Sequence, residues 1–203
     1  AITDRQLAKA VSAAVLEGQA VGFRSDFSHP CPPGLSPREE ELGVYVTCRR
    51  SGGPFPRTLR LVPRRLIIGI GCRRGIAKAA IARAVEAALE KAALDPLAAA
   101  AAATISLKAE EPGLLAFCRE RGLPLQVYSA GELAAVPGDF TASPFVRSVT
   151  GVDNVCERAA AARGGTLLLG KQALEGVTVA IALADPAQWP DPNLFEKVRV
   201  KQE

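Results

Sequence analysis

The feature that most constrains the fold of this chain is an apolar run that ends in a glycine-rich turn and then becomes a helix. The run is IIGIG at 67–71, the turn is CRRG at 72–75, and a helical pattern follows over about 76–94. A continuous apolar run is typical of a strand buried on both faces. Because strand and helix patterns go on alternating after it, the sequence predicts an α/β domain with a mainly parallel, three-layer sheet.

The remaining elements of this domain follow from turn and cap signals. Helices are predicted at 111–122, 130–136, 143–151 and 154–165, with Pro112 and Ser129 near two of the starts and Gly122 at one end. Strands are predicted at 102–108 and 123–129, and the last segment, 166–183, reads as two strands that form a hairpin at an antiparallel edge.

A smaller α/β unit precedes this domain. It has an amphipathic helix at 2–17, with Thr3 as its cap and Gly18 at its end, and strand patterns at 20–27 and 42–49. We therefore divide the chain into 1–63 (small α/β unit), 64–184 (C-terminal α/β domain) and 185–203 (polar tail). Because residue 1 is alanine and opens directly into a helix, we expect an upstream part of the natural protein to precede it.

Composition narrows the class of protein. The 203 residues are 48% hydrophobic, and no apolar run reaches the length of a membrane span, so no membrane partner is expected. The five cysteines are an odd number, widely spaced and without a CxxC pair, which favours a reducing cytoplasm over a disulfide framework or zinc site. The single histidine, His29, lies in a proline-rich loop, which is a poor place for the base of a catalytic triad.

Charge is unevenly distributed along the chain. Between Leu42 and Val85 there is no Asp or Glu, but there are ten Lys or Arg residues. Such a block either forms a solvated basic face or attracts an anionic partner. Since the block lacks the interleaved aromatic residues that stack on bases, we expect a small polyanion, such as a phosphate ester or polycarboxylate, and no nucleic acid.

Three constellations could carry chemistry. The first is the turn at Gly71, Cys72, Arg73 and Arg74, where a helix N-terminus, flexible glycines and guanidinium groups would hold a carboxylate or phosphate. The alternative is a tight connection with exposed arginines. The same charges would lower the pKa of the Cys72 thiol, which is then either a nucleophile or a small buried side chain.

The second constellation is SLKAEEPG at 106–113. It places Lys108, Glu110 and Glu111 at the carboxyl end of a predicted parallel strand, where open α/β sheets bind ligands. The two carboxylates could equally favour the start of the following helix.

The third constellation is TGVDNVCE at 150–157. Thr150, Gly151 and Asn154 lie in a turn whose amides could form a second anion cradle, and Glu157, one turn into a helix, could activate water as a general base. The alternative is a helix capped by Asn154 and stabilised by Glu157. Lys171 could neutralise a further substrate charge or be an ordinary surface residue.

Five segments occur in an order that resembles one known family. They are GIGCRRGI, SLKAEEPGLLAF, LPLQVYSAGELAAVPG, SPFVRSVTGVDNVCERAAA and KQALEGVTVAIA. Together they are similar to the C-terminal domain of the cobalamin biosynthesis protein G family, the cobalt-precorrin-5A hydrolases of the anaerobic vitamin B12 pathway. Residues 1–63 resemble the middle region of that family. Nothing matches the family's N-terminal domain, so we expect that part of the active site could be absent.

The resemblance implies a reaction and a partner. Water opens a δ-lactone on ring A of cobalt-precorrin-5A, and the methylated bridge carbon leaves as acetaldehyde. The partner is then an anionic corrinoid, with other enzymes of the pathway as further possible partners, and no cofactor is needed because the cobalt belongs to the substrate. With this reaction, Glu157 is the candidate base and the amides of 151–154 are candidate oxyanion donors. A corrinoid-binding module without catalysis and an anion- or nucleotide-binding regulatory domain stay open.

Overall fold

The computed structural model describes residues 1–185, apart from the side chain of Phe145. Its described residues form two compact units, one made of 1–64 with 93–98 and the other of 65–92 with 99–185. Except for its first residue, the tail predicted at 185–203 lies outside the described part. In that part, no helix is long and apolar enough to cross a bilayer.

The first unit is a helix with a small parallel sheet. Helix α1 is Arg5–Leu16, and the strands, which lie in the order β1-β2-β3, are β1 Gly22–Ser25, β2 Leu42–Val46 and β3 Arg57–Leu61. The segment 93–98 joins this unit through Asp95, which accepts a hydrogen bond from the Arg60 guanidinium at 3.2 Å and donates its own N–H to the Cys48 carbonyl at 2.8 Å.

Several predicted helix boundaries were wrong; the helix predicted at 154–165, for example, is Cys156–Ala161. Helix α1 is capped by Asp4 rather than Thr3, because the Asp4 carboxylate accepts the N–H groups of Gln6 and Leu7 at 2.8 and 2.9 Å. The helix predicted to run to residue 94 ends at Lys91, two residues before Ala93 adopts a left-handed φ of 54°.

The second unit is a five-stranded sheet with helices between its strands. Its strands are β4 Leu66–Cys72, β5 Ala99–Ile105, β6 Leu125–Tyr128, β7 Thr166–Leu174 and β8 Val177–Leu183. Its helices are α2 Lys78–Lys91, α3 Pro112–Arg121, α4 Ala130–Ala135, α5 Pro144–Thr150 and α6 Cys156–Ala161. The caps at Gly122 and Ser129 are confirmed, the first in a left-handed conformation and the second in a capping box with Glu132.

The strand order is β6-β5-β4-β8-β7. The first three strands are parallel, and β8 and β7 form the predicted hairpin antiparallel to β4. Helices α2 and α3 contact each other, while α6 contacts α4 and lies against β4 and β5. This is the predicted α/β architecture, with the sheet as the middle layer.

Small residues bring α6 close to the sheet. Strand β5 contains five consecutive alanines, Ala99–Ala103, all buried, and starts three residues before the predicted strand at 102. Alanine favours helices, so its local preference is overridden here by burial in the central layer. At Gly69 of β4, a Cβ would lie 1.8 Å from the Cys156 carbonyl oxygen of α6, so only glycine permits this helix–strand distance.

Candidate functional site at the carboxyl edge of the sheet

The carboxyl ends of β4, β5 and β6 lie side by side at one edge of the sheet. The loop between α5 and α6 reaches the same edge. A Cβ placed on Gly71 would lie 3.9 Å from Val155, and one on Gly151 would lie 3.8 Å from the Cβ of Ala130. This edge therefore brings together the three constellations predicted from the sequence, at the position where open α/β sheets bind ligands.

The first cradle is filled by a carboxylate of the chain itself. The Gly75 N–H donates to Glu111 Oε1 at 2.6 Å, and Lys108 Nζ lies 3.4 Å from Glu111 Oε2. The Glu111 side chain is only 6% exposed. Glu111 thus joins the turn after β4 to the loop after β5, and an external anion could bind the Gly75 amide only by displacing this carboxylate.

The expected lowering of the Cys72 pKa was wrong. Burial raises the pKa of the Cys72 thiol, Glu111 adds to the increase, and the Lys108 ammonium opposes it. The two neighbouring arginines are exposed and do not contribute to this shift. Cys72 is therefore a neutral thiol near pH 7, able to donate a weak hydrogen bond but poorly suited to act as a nucleophile.

Several basic residues of the acid-free block form ion pairs in the folded structure. At least four of its ten basic residues form ion pairs with acids from outside the block: Arg49 with Asp26, Arg60 with Asp95, Lys78 with Glu120 and Arg83 with Glu175. Within residues 1–185, Arg73 and Arg74 form no ion pair. The Arg73 side chain lies along Gly176, and the backbone N–H of Arg73 donates to the Gly176 carbonyl at 3.0 Å. These two guanidinium groups keep their charge available for a ligand.

Glu157 lies at the centre of the third constellation and is 3% exposed. Its Oε2 accepts hydrogen bonds from the Thr141 N–H and from Asn154 Nδ2, both at 2.7 Å. Its Oε1 accepts from the Lys171 N–H at 2.6 Å and from the Thr141 hydroxyl at 3.1 Å. Both oxygens are therefore occupied by groups of the protein.

The turn between α5 and α6 uses most of its polar groups internally. Asn154 Oδ1 accepts the Glu157 N–H at 2.9 Å, which is the predicted capping contact. The Gly151 N–H donates to the Arg147 carbonyl at 2.9 Å, and the single proton of the Thr150 hydroxyl is within reach of two carbonyls, those of Val146 at 2.8 Å and Val152 at 3.0 Å. The amide of Gly151 is thus not available as an oxyanion donor in this conformation.

Lys171 interacts with Glu157 through its backbone and with Cys156 through its charge. Its N–H is bound to Glu157, while its ammonium lies close enough to Cys156 to act on that thiol's pKa. No carboxylate within the described residues pairs with the Lys171 ammonium, so this cation also stays available to a ligand.

Two residues that organise this region had no recognisable signal in the sequence. Thr141 has no periodic or motif context, yet it supplies two of the four hydrogen bonds to Glu157. Arg158 binds Asp153 at 2.9 Å, donates to three carbonyl oxygens at the end of α4, and lies 4.7 Å over the ring of Phe140. In the described part of the chain, no group of three or more His, Cys, Asp or Glu side chains is placed to hold a metal ion.

Because its thiol is buried, Cys156 is expected to lower the stability of the fold at alkaline pH. Burial raises its pKa to about 11, so the folded protein keeps this proton at pH values where an unfolded thiol, with a pKa of about 8.5, loses it. Stability is complete below the unfolded pKa and falls as pH rises towards the folded pKa, by at most about 1.4 kcal/mol per pH unit for one thiol. We expect urea unfolding at pH 8, 9 and 10 to show a shallower fall for Cys156→Ala than for wild type. Cys31→Ala, in the proline-rich loop of the first unit, is the control, and equal slopes in all three proteins would contradict the assignment.

A solved structure shows the class of domain to which the second unit belongs. The structure is similar to that of CobE, a protein from the cobalamin (vitamin B12) biosynthetic pathway, with a TM-score of 0.56 and 27% sequence identity. The match covers 61% of this chain and 93% of CobE. The second unit is therefore an α/β domain of the kind found in cobalamin biosynthesis proteins.

The family follows from the sequence match. Residues 66–182 match the family described as "Cobalamin synthesis G C-terminus", and the chain belongs to that family. It is 36% identical over 126 residues to the cobalt-precorrin-5A hydrolase of Salmonella typhimurium and 35% identical over 123 residues to that of Priestia megaterium. These matches take in 62% and 60% of this chain but only 36% and 33% of the relatives, so the chain spans about a third of their length.

Proposed function

We propose that this chain takes part in the hydrolysis of cobalt-precorrin-5A in anaerobic cobalamin biosynthesis. The observation that carries the proposal is the 36% identity to a cobalt-precorrin-5A hydrolase over 126 residues. The family match at residues 66–182 includes the carboxyl edge of the sheet. Water opens the lactone of the substrate to a carboxylate and an alcohol, and the bridge carbon then leaves as acetaldehyde. The cobalt is part of the substrate, and the proposal requires no cofactor bound by the protein. A reducing cytoplasm, with other enzymes of the pathway nearby, is the proposed setting.

The carboxyl edge has the chemistry that a corrinoid needs. A corrinoid has two apolar faces and a rim of acetate and propionate groups. Leu107 and Val149, at the ends of β5 and α5, are 64% and 60% exposed, and each has a basic neighbour, Lys108 next to Leu107 and Arg147 two residues before Val149. Large exposed aliphatic side chains beside cations support binding of an amphipathic anion here.

Of the two buried carboxylates at this edge, Glu111 has the more available oxygen. Among residues 1–185, its Oε2 has one polar contact, with Lys108 Nζ at 3.4 Å, whereas each oxygen of Glu157 accepts two hydrogen bonds. A general base needs a lone pair directed at water. We therefore assign the base to Glu111, and the stabilisation of the developing oxyanion to the Lys108 ammonium.

The test is acetaldehyde release from cobalt-precorrin-5A under anaerobic conditions, with corrinoid absorbance followed in parallel. Wild type should release one acetaldehyde for each product formed. Glu111→Gln should lower the rate by about 100-fold or more, the usual contribution of a general base. The matched control is Glu110→Gln, since Glu110 is adjacent and exposed, and this variant should keep the wild-type rate. Equal rates in wild type and Glu111→Gln would remove Glu111 from the reaction.

A second candidate function is a corrinoid-binding module without catalysis. It is favoured because the predicted site groups already form hydrogen bonds within the protein. Glu111 accepts the Gly75 N–H, and protein donors bind both oxygens of Glu157. In the same assay, a change in corrinoid absorbance without acetaldehyde would support this function and contradict hydrolysis by these 203 residues. Leu107→Asp should weaken the absorbance change under either function, whereas Leu168→Asp, on the exposed edge strand β7, should not.

A further inference from the structure

Glu157 joins three segments that are distant in sequence. It accepts hydrogen bonds from Thr141, in the loop before α5, and from Lys171, in the edge strand β7, while Asn154 holds it from the turn before its own helix. These contacts fix both ends of the segment 141–155, which contains α5 and forms one wall of the carboxyl edge.

Strand β7 is built to reach this carboxylate. Its pairing with β8 shifts register between Leu169 and Gln172, so Gly170 and Lys171 lie in a bulge. The bulge directs the Lys171 N–H to Glu157 Oε1 at 2.6 Å. A Cβ on Gly170 would lie 3.1 Å from the same oxygen, closer than usual van der Waals contact, so glycine allows the strand to approach this closely.

The same contacts argue against acid–base chemistry at Glu157. A carboxylate has about four lone-pair positions, and here four donors within 3.1 Å fill them. The side chain is 3% exposed, so water would have to replace a protein donor before Glu157 could accept its proton. Charge-assisted hydrogen bonds of this kind are about twice as strong as neutral ones, which favours a fixed structure.

We propose that Glu157 is a positioning residue: it holds the segment 141–155 against β7, so that the exposed Val149 and the turn at Thr150 stay at the carboxyl edge. This inference rests on the proposed function for its consequence, since the positioned groups are those assigned to corrinoid binding. Its structural part, the attachment of 141–155 to β7, is independent of any ligand.

The test compares Glu157→Gln with wild type in two measurements. The glutamine amide presents N–H groups to the N–H donors of Thr141 or Lys171, so the attachment should break without loss of side-chain volume. Without ligand, hydrogen–deuterium exchange of the amides at 141–155 and of Lys171 should accelerate by about tenfold or more. With cobalt-precorrin-5A, the dissociation constant or KM should rise by about tenfold, kcat should fall less than KM rises, and the pH–rate profile should keep its wild-type shape.

Leu114→Ala is the stability control. Leu114 is fully buried in α3, a helix that contacts α2, and it is not part of the buried cluster that contains Val152 and Val155. Its truncation therefore destabilises the same unit away from the segment 141–155. At a temperature where both variants stay folded, the control should bind corrinoid as wild type does. If Leu114→Ala weakened binding as much as Glu157→Gln, a general loss of stability would explain the effect and the inference would be wrong.

Two further outcomes would overturn the inference. Unchanged exchange at 141–155 in Glu157→Gln would show that the carboxylate does not hold the segment. A fall in kcat of about 100-fold at constant KM, with loss of the acid limb of the pH profile, would make Glu157 the base after all. If wild type neither binds nor converts the corrinoid, the proposed function fails, and the exchange measurement alone decides whether Glu157 attaches 141–155 to β7.

Discussion

Replacing Gly69 by alanine is expected to destabilise the second unit by about 3 kcal/mol or more, the upper range for overpacking a core. The added Cβ would lie 1.8 Å from the Cys156 carbonyl oxygen and 2.9 Å from the Ala160 nitrogen. Both atoms belong to the backbone of α6, so no side-chain rotation relieves the clash and the whole helix must move off the sheet. Urea unfolding followed by circular dichroism measures the change in free energy.

Gly71→Ala is the matched control for this substitution. Gly71 lies two residues further along β4 and points to the same face, but the nearest atom to its added Cβ is the Thr178 hydroxyl oxygen at 2.6 Å. A hydroxyl can rotate away at the cost of its hydrogen bond to the Gly71 carbonyl, about 1 kcal/mol. Equal destabilisation by the two substitutions would contradict the distinction between backbone and side-chain clashes at this face.

The second large effect is expected from Arg158→Met. This substitution keeps most of the apolar stem but removes the guanidinium, which leaves the carbonyls of Leu133, Ala134 and Val136 at the end of α4 without this donor. It also removes the ion pair to Asp153 and the contact with the Phe140 ring. Hydrogen bonds from a charged donor contribute about 1.5 to 3 kcal/mol each and are not additive, so we expect a loss of about 2 to 4 kcal/mol.

The acid dependence of stability provides a separate check on Arg158. Its hydrogen bond lowers the pKa of the Asp153 carboxyl. A lowered pKa in the folded state contributes stability above the unfolded value of about 4, and this stability is lost as pH falls through the folded pKa. Below pH 4, stability should therefore fall less steeply in Arg158→Met than in wild type. Arg163→Met, at an exposed arginine just after α6, should leave both the stability and its pH dependence unchanged.

Local signals in the sequence predicted those elements whose ends are defined by a few neighbouring residues. Pro112 and Gly122 define the start and end of α3, and Ser129 with Glu132 defines the start of α4. Prediction was poorer where distant parts of the chain decide the outcome. The run Ala99–Ala103 has the composition of a helix and becomes a central strand because β4 and β6 pair with it on both sides.

In the candidate site, too, features set by neighbouring residues were predictable and features set by distant contacts were not. Its location at the carboxyl edge follows from strand order, and the sequence predicted Lys108 and Glu111 there, whereas the turn at 150–154 was predicted only as a separate anion cradle. The sequence could not predict that Glu111 would bind Gly75, or that a bulge in β7 would bring Lys171 to Glu157, because these contacts join residues 36 and 14 positions apart. Hydrogen-bond saturation of a carboxylate depends on such contacts, and residue spacing alone does not reveal it.

The position of β8 between β4 and β7 has a consequence for synthesis on the ribosome. Strand β4 is made early, but its antiparallel partner, β8, ends at Leu183, and Leu66 pairs directly with that residue. Until the hairpin has emerged from the exit tunnel, one edge of β4 has no partner and is open to pairing with another chain. The sheet of the second unit therefore closes only after β8 has emerged, more than a hundred residues after the end of β4, and the open edge of β4 must be protected until then.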